Sequence, residues 1–539
     1  MSTEGKATAA YVEQHSAEEQ KIEEQKVHIA NDVVELYDSG DIRLIPAPSN
    51  DPNDPLRLPP WRKNMVIIAL CFYTAGCLAV TTSLSPIIPT LIQYYGAIGG
   101  ASHPPMQDVL NLGTYPTLFG GIGAILTILT ARWIGTRPVL IFSSALLFFS
   151  TLWSAVSKGR DRGLYSNIAA RCFVGLGTGA YESVVPLILQ DINFIHQRNR
   201  ALAFVLGSGG MAGAIFGALS TYIVAGFNWR SLFWIINIIT GIGMILIILF
   251  VPETTWPRRM SDLAGTSERN ADGFVPSLHP PQPPMPYFHS LRLFSGRGSA
   301  LSAWRTAKDL ARSTTFPNVI WIVLLNACMS GTTVGSTLVI STILQGPYHW
   351  AARNVGLCML SIAMGALLTM PITGVMGDAV IKYVARRKKV HLPEHQLTNL
   401  ILPVVVGFIG TIGYGIVAAR PDKYHWMVLL VMMAFQFFAS TSINVLSTTY
   451  AIECFPDLAG VMVIVCGAYR NIVGFGLTYG AQSFMNAAGA LGCFGTYAGI
   501  LGGLGLAGIF FYFMGPAVRR QVNAWKIRRS ASADDSLGI

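Results

Sequence analysis

Residues 230–251 read RSLFWIINIITGIGMILIILFV. After the opening arginine the stretch carries no charge and no proline. An α-helix rises about 1.5 Å per residue and a bilayer's hydrocarbon core is roughly 30 Å thick, so about 20 apolar residues cross it. This stretch is long enough. Working outward, the same length recurs on both sides, at 64–88, 106–131, 138–157, 163–190 and 201–223, and then at 317–343, 354–377, 398–419, 425–449, 460–485 and 491–515. A hydrophilic gap divides the segments into six and six. The pattern predicts an all-α membrane protein, with twelve transmembrane helices in two pseudo-symmetric six-helix bundles.

Composition agrees. Charged residues make up 12% of the chain and apolar residues 52%, where a soluble protein carries about 25% charge. The net charge of +10 raises nucleic acid as a partner, but its distribution argues against that. Basic residues fall in alternate loops: Arg132 and Arg137, Arg198 and Arg200, the central gap, Lys382 to Lys389, and Arg519 to Arg529. That is the positive-inside pattern, and it predicts cytosolic termini. Residues 1–50 hold ten acidic and four basic side chains. They form no secretory signal, so the first span is expected to act as an uncleaved anchor.

The expected organisation is a disordered cytosolic tail (1–60), an N-terminal bundle (61–257), a cytosolic central loop (258–316), a C-terminal bundle (317–515) and a cytosolic tail (516–539). The central loop has a Pro-rich run at 275–286, which disfavours regular structure. Leu301, Trp304 and Lys308 then recur at helical spacing and predict an amphipathic helix on the cytosolic face. Its simplest reading is a passive linker between the bundles, with a regulatory helix as the alternative. The eight cysteines lie mostly within spans, as packing groups, and no Cys/His spacing suggests a metal. No phosphate-binding loop occurs and no cofactor is expected.

Ionisable groups inside spans are the sharpest functional signals, because lipid penalises charge. The fourth span has Arg171 and Glu182, eleven residues apart. That is close to three turns, so both lie on one face about 16 Å apart. They are too distant to pair directly, and each needs a partner on another helix or water in a cavity. Glu182 reads as a proton- or cation-binding carboxylate, with Arg171 tuning it or touching substrate; a locked interhelical pair is the structural alternative. Arg470 and Asn471 in the eleventh span are placed in the same group, Arg470 either facing the cavity or pairing with a carboxylate, or else snorkelling to the inner surface. Tyr181, Asn326 and Gln436, the last within Phe435–Phe438, are candidate pocket residues. A pocket rich in aromatics suits bulky, partly apolar substrates.

Asp378 ends the eighth span beside basic residues and reads as a gate latch at the inner surface. Arg137, Asp191, Arg198 and Glu453 are grouped with it as gating charges. Gly209, Gly213 and Gly217 form GxxxGxxxG in the fifth span, and Gly175 and Gly177 stand in the fourth. Both sets predict close helix packing.

Several stretches together resemble a fungal major facilitator superfamily transporter of the drug:proton antiporter (DHA1-like) type. They are Pro46–Lys63 before the first span, Gly135-Thr136-Arg137-Pro138, and Arg171-Cys172-Phe173-Val174-Gly175-Leu176-Gly177. They continue with the acidic-to-basic run from Glu182 to Arg198, then Trp229-Arg230 and Pro252-Glu253-Thr254. The resemblance covers most of 45–515. It implies the superfamily fold and proton-linked export of a drug or secondary metabolite across a fungal plasma membrane, with Arg171 in a motif associated with proton coupling. Two departures stand out. Ala131-Arg132 occupies the place of an aspartate in the first loop motif, and Gly209-Gly210 lacks the proline of the fifth-span antiporter motif. Uptake of a cation, polyamine or other nutrient by proton symport is the alternative. A channel would need a ring of pore residues, usually from an oligomer, and the pseudo-repeated single chain argues against it; an enzyme would need a clustered catalytic set, and no His-rich or HExxH-type constellation is present. The expected partners are a small-molecule substrate, protons and the lipid bilayer, with the chain a monomer.

Overall fold

A computed structural model describes residues 37–38, 41–42, 48–98, 106–157, 161–256, 275, 287, 291–293, 300–369, 371–373, 394, 396–455 and 458–535. Contacts divide it into two units. The smaller joins the chain up to Asn50 with 258–280. There Asn50 N donates to Val275 O at 3.0 Å and Val275 N to Pro48 O at 3.1 Å. The larger unit holds all the spans.

The first half runs through Pro60–Thr82 continued by Ile88–Ile98, then Met106–Ile134, Thr136–Val156, Asp161–Ile192, Ile195–Gly226 and Trp229–Phe250. After the helix Ala300–Ser313 come Pro317–Gln345, a 3₁₀ turn Ala352–Met359 leading into Leu360–Thr369, then Gln396–Ala419 and Trp426–Cys454. Helical structure then runs from Ala459 to Asp535. Its apolar part, Ala459–Val518, is 60 residues long. At 1.5 Å per residue that is about 90 Å, roughly three hydrocarbon thicknesses. It folds back at Gly489, whose φ of 73° and ψ of 170° break the helix. Tyr497 beyond the break donates to Leu477 O before it, at 2.9 Å. The eleven membrane-length helices thus supply the twelve spans expected.

The two halves repeat their packing with an offset of six, and small residues mark each contact. A Cβ on Gly179 would strike Gly123 between spans four and two, and one on Gly365 would meet Ala434 O at 2.6 Å between spans eight and ten. Spans three and four meet at Gly177 and Leu147; spans nine and ten meet at Gly410 and Phe435. Spans one and five pack at Thr74 and Gly209, and spans seven and eleven at Gly331 and Gly474. The halves join where span two meets eleven and span five meets eight. An offset of six converts each of these seams into the other, as a pseudo-two-fold requires. The other glycines singled out in the sequence also lie against neighbouring helices. Gly175 lies on Pro116 and Phe119, Gly213 on Thr82, and Gly217 reaches across to Met359.

Part of the expected disordered tail is ordered. Asp54 Oδ1 accepts from Leu56 N at 3.0 Å and caps the turn Pro55–Arg57, with Leu56 buried. Asp378 and the basic run 382–389 lie outside the described residues, as does the Pro-rich run beyond Val275. The side chain of Arg198 is likewise not described.

Candidate functional site

Three ionisable groups anticipated from the sequence occupy three different environments. The first closes the end of the bundle that carries the short loop between spans two and three, called here the basic end. Gly135 adopts a φ of 120°, which leaves space for the Glu253 carboxylate. That carboxylate accepts from Thr136 N at 3.0 Å, Thr136 Oγ1 at 2.8 Å and Arg137 N at 3.2 Å. It therefore caps the start of span three, where unpaired N–H groups and the helix dipole favour an anion. Arg137 reciprocates at the end of span six, donating to Val251 O and, at 2.8 Å, to Ile248 O. Both partners of Arg137 are in its own half. The expected gating arginine is a tie between spans three and six in this structure.

Arg171 is fully buried, but not in a cavity wall. Its Nη1 donates to Val80 O at 2.8 Å, and its guanidinium lies 4.5 Å from the centre of the Phe233 ring. The acceptor follows from the chain. Span one stops at Thr82 and resumes after Ser85-Pro86-Ile87, so Val80 stands in its last turn. Carbonyls at such a break are left without helical partners, and Arg171 satisfies one of them. Its Nε and Nη2 make no hydrogen bond among the described residues.

Glu182 lies elsewhere, on the wall of a cavity of about 210 Å³ between the halves. Thr81, Thr82, Thr117, Thr178 and Tyr181 line it from the first half; Ser330, Thr337, Met359, Phe437 and Asn471 line it from the second. Leu338 and Ile88 belong to an apolar cluster toward the far end. On the basic-end side, Arg470 Nη2 donates to Glu182 Oε1 at 2.5 Å and Asn471 Nδ2 to Oε2 at 3.0 Å. The Arg470 and Glu182 side chains are 13% and 14% exposed. One carboxylate of the first half is thus held by two consecutive residues of the second.

The local backbone permits this. Val465–Tyr469 is a π-helical turn, a feature often found at functional sites, and it precedes Arg470 directly. Gly467 within it faces the carboxylate, and a Cβ there would lie 3.1 Å from Glu182 Oε2. A Cβ on Gly121 would meet Ala468 O at 2.6 Å, so span two also approaches this turn closely.

The one-face placement of Arg171 and Glu182 puts them at different depths with unrelated partners. Tyr181 and Asn471 line the cavity. Asn326 and Gln436 do not. Asn326 donates to Asn444 Oδ1 at 3.0 Å, and Gln436 accepts from Ser336 Oγ at 2.7 Å. Both tie helices within the second half. Glu453 accepts from Gln396 Nε2 at 2.9 Å, also within that half. Asp191 ends span four and is half-buried. The cavity hydroxyls escaped notice because threonines are common in apolar helices, where they bond back to their own turn. Thr81, Thr178 and Thr337 do so here. The cap formed by Glu253 did have a signal, an acid at the end of span six and a Gly-Thr at the start of span three.

Known proteins share this architecture. The chain is 23% identical over 556 residues to Protein HOL1 of Saccharomyces cerevisiae, covering 91% of this chain and 92% of the relative. It is 22% identical over 390 residues to the MFS antiporter QDR2 of Candida albicans, covering 69% of this chain and 73% of that one. The crystal structure of a D-xylose-proton symporter superposes with a TM-score of 0.60 at 14% identity, over 84% of this chain and 97% of the symporter. Residues 65–478 match the family model of the Major Facilitator Superfamily. Twelve spans in two six-helix halves, a cavity between them and a family match over most of the chain agree: this protein belongs to the Major Facilitator Superfamily, whose members are transporters and not enzymes.

Proposed function

We propose that this transporter couples proton movement to the export of a small organic molecule, a drug or secondary metabolite, by alternating access. The observation that carries the reading is the Glu182 carboxylate, on the cavity wall and bound by Arg470 and Asn471 of the other half. A proton on Glu182 removes the charge that holds Arg470, so protonation and separation of the halves on that side become one event. The likeness to a fungal antiporter supports export. The distribution of basic loops supports cytosolic termini, and the resemblance supports a plasma-membrane monomer.

The second reading is uptake of a cation, polyamine or other nutrient by proton symport. It is favoured by a carboxylate lying beside Tyr181 and Phe437 in one cavity, a setting that attracts cations.

The test begins by comparing medium from wild-type and deletion strains to find the exported compound. That compound is then followed in proteoliposomes under an imposed pH gradient. Glu182→Gln is expected to abolish gradient-driven flux with expression and insertion intact. Normal flux in that variant would overturn the coupling role. Accumulation of the compound in wild-type cells would favour uptake.

A further inference from the structure

The helix Ala300–Ser313 lies apart from the cavity, and its two faces differ in kind. Leu310 and Ser313 are buried against the bundle. Leu310 shares an apolar cluster with Ile128 of span two and Met462 at the start of span eleven. The opposite face leaves Leu301 57% and Trp304 59% exposed. Arg305, Lys308 and Arg312, all exposed, are interleaved with them. At about 100° per residue these five positions fall within an arc of roughly 100°. The Lys308 ammonium stands 5.3 Å from the centre of the Trp304 ring. The helix carries three basic residues and one acidic residue. The ion pair between Arg312 and Asp309 is 3.9 Å long and exposed, so it does little to occupy the arginine.

Position identifies the partner. Span seven begins at Pro317, four residues after the helix ends. A link that short holds the helix near the level where hydrocarbon meets headgroups. Indole rings favour that level, and long basic side chains extend from it toward phosphate. A face turned to bulk water has no use for an exposed tryptophan and leucine among cations.

We propose that the outer face of Ala300–Ser313 is a binding surface for anionic phospholipids, with Trp304 and Leu301 at the acyl boundary and Arg305, Lys308 and Arg312 on the headgroup phosphates. The face that reads from sequence as part of a linker is then a lipid contact built into the join between the halves.

The experiment places the full-length protein in nanodiscs of phosphatidylcholine alone, or of equal parts phosphatidylcholine and phosphatidylglycerol. Hydrogen–deuterium exchange is followed by mass spectrometry. Exchange over 300–313 is expected to be roughly tenfold slower in the anionic discs. High salt should reduce the difference, and the R305Q/K308Q/R312Q variant should lose it. These side chains are exposed, so the variant should fold; unchanged exchange over 317–345 verifies that. Equal exchange in the two lipids would overturn the proposal, as would slowing that survives the triple substitution. Slowing that tracks the number of copies per disc would assign the face to a second protein molecule instead.

Discussion

Removing Arg470 should destabilise the protein more, by about 1 kcal/mol, than removing both members of its pair with Glu182. In Arg470→Gln the carboxylate keeps the Asn471 bond at 3.0 Å and loses the charged partner at 2.5 Å. Both side chains are mostly enclosed, at 13% and 14% exposure. Stranding one charge of a buried pair costs about 3–5 kcal/mol. Glu182 borders the cavity, where water can enter, so the lower end, about 3 kcal/mol, applies. Glu182→Gln strands Arg470 in the same way and should cost about 2 kcal/mol, because the long arginine can reach water more easily. The doubly substituted protein places two amides within hydrogen-bonding reach and leaves no buried charge. Its loss should be about 2 kcal/mol rather than the sum of 5, a coupling energy of about 3 kcal/mol. The assay is equilibrium unfolding of wild type, both single variants and the double variant in one mixed-micelle system. Single-variant losses that add to within about 0.5 kcal/mol would show that the two residues do not act as a pair, and the proton-release argument would fall with them.

Three further outcomes follow from the geometry. Gly467→Ala puts a methyl 3.1 Å from Glu182 Oε2 and should lower that coupling energy by about 1 kcal/mol in the same four-variant cycle. Gly135→Ala forces a side chain onto a φ of 120° and to within 2.5 Å of Glu253 Oε2; the strain and the lost cap should together cost about 2–5 kcal/mol of unfolding free energy. Arg171→Met orphans the Val80 carbonyl and removes the contact with Phe233. It should cost about 2–4 kcal/mol in stability while leaving the ratio of protons to substrate unchanged in the protein that still folds, measured as paired fluxes in proteoliposomes.

The spans were legible because crossing a bilayer requires only length and apolarity, and both are local properties. The break at Gly489 was legible in outline, since an apolar run three bilayers long has to turn. The π turn at Val465–Tyr469 left no trace in Val-Cys-Gly-Ala-Tyr, because the residues it lies against, Glu182 beside Gly467 and Gly121 beside Ala468, belong to other helices. Helical periodicity placed Arg171 and Glu182 on one face. It contained nothing about which helix faced each of them, so a carbonyl at the kink of span one and a basic residue 288 positions later were equally out of reach. Asn326 and Gln436 show the converse. A polar residue in mid-span signals an obligation to find a partner in lipid, and a partner inside the same half discharges it as well as a substrate would.

The placement of these partners also bears on which motion the molecule can make. Polar side chains within each half bond to buried main-chain and side-chain atoms of that half: Arg137 to the end of span six, Arg171 to the break in span one, Tyr73 to Gly177 O at 2.5 Å, Tyr414 to Ser336 O at 3.1 Å. Deforming a half would leave several such groups unpaired in lipid, at about 1–3 kcal/mol each. Bonds between the halves are of another kind. Tyr222 with Asn354 and Gln107 with Tyr479 O are exposed, so water can replace them, while Thr221, which accepts from Gly356 N and donates to Arg353 O, is a more buried tie between spans five and eight. The ion pair from Arg470 to Glu182 borders the cavity, and a proton can dissolve it. The stiff parts are therefore the halves and the yielding part is the seam, which makes rocking about the cavity the least costly large motion. Within that motion Glu182 is the one cavity-lining carboxylate among the described residues, so under the proposed coupling its charge state sets how strongly Arg470 is held across the seam.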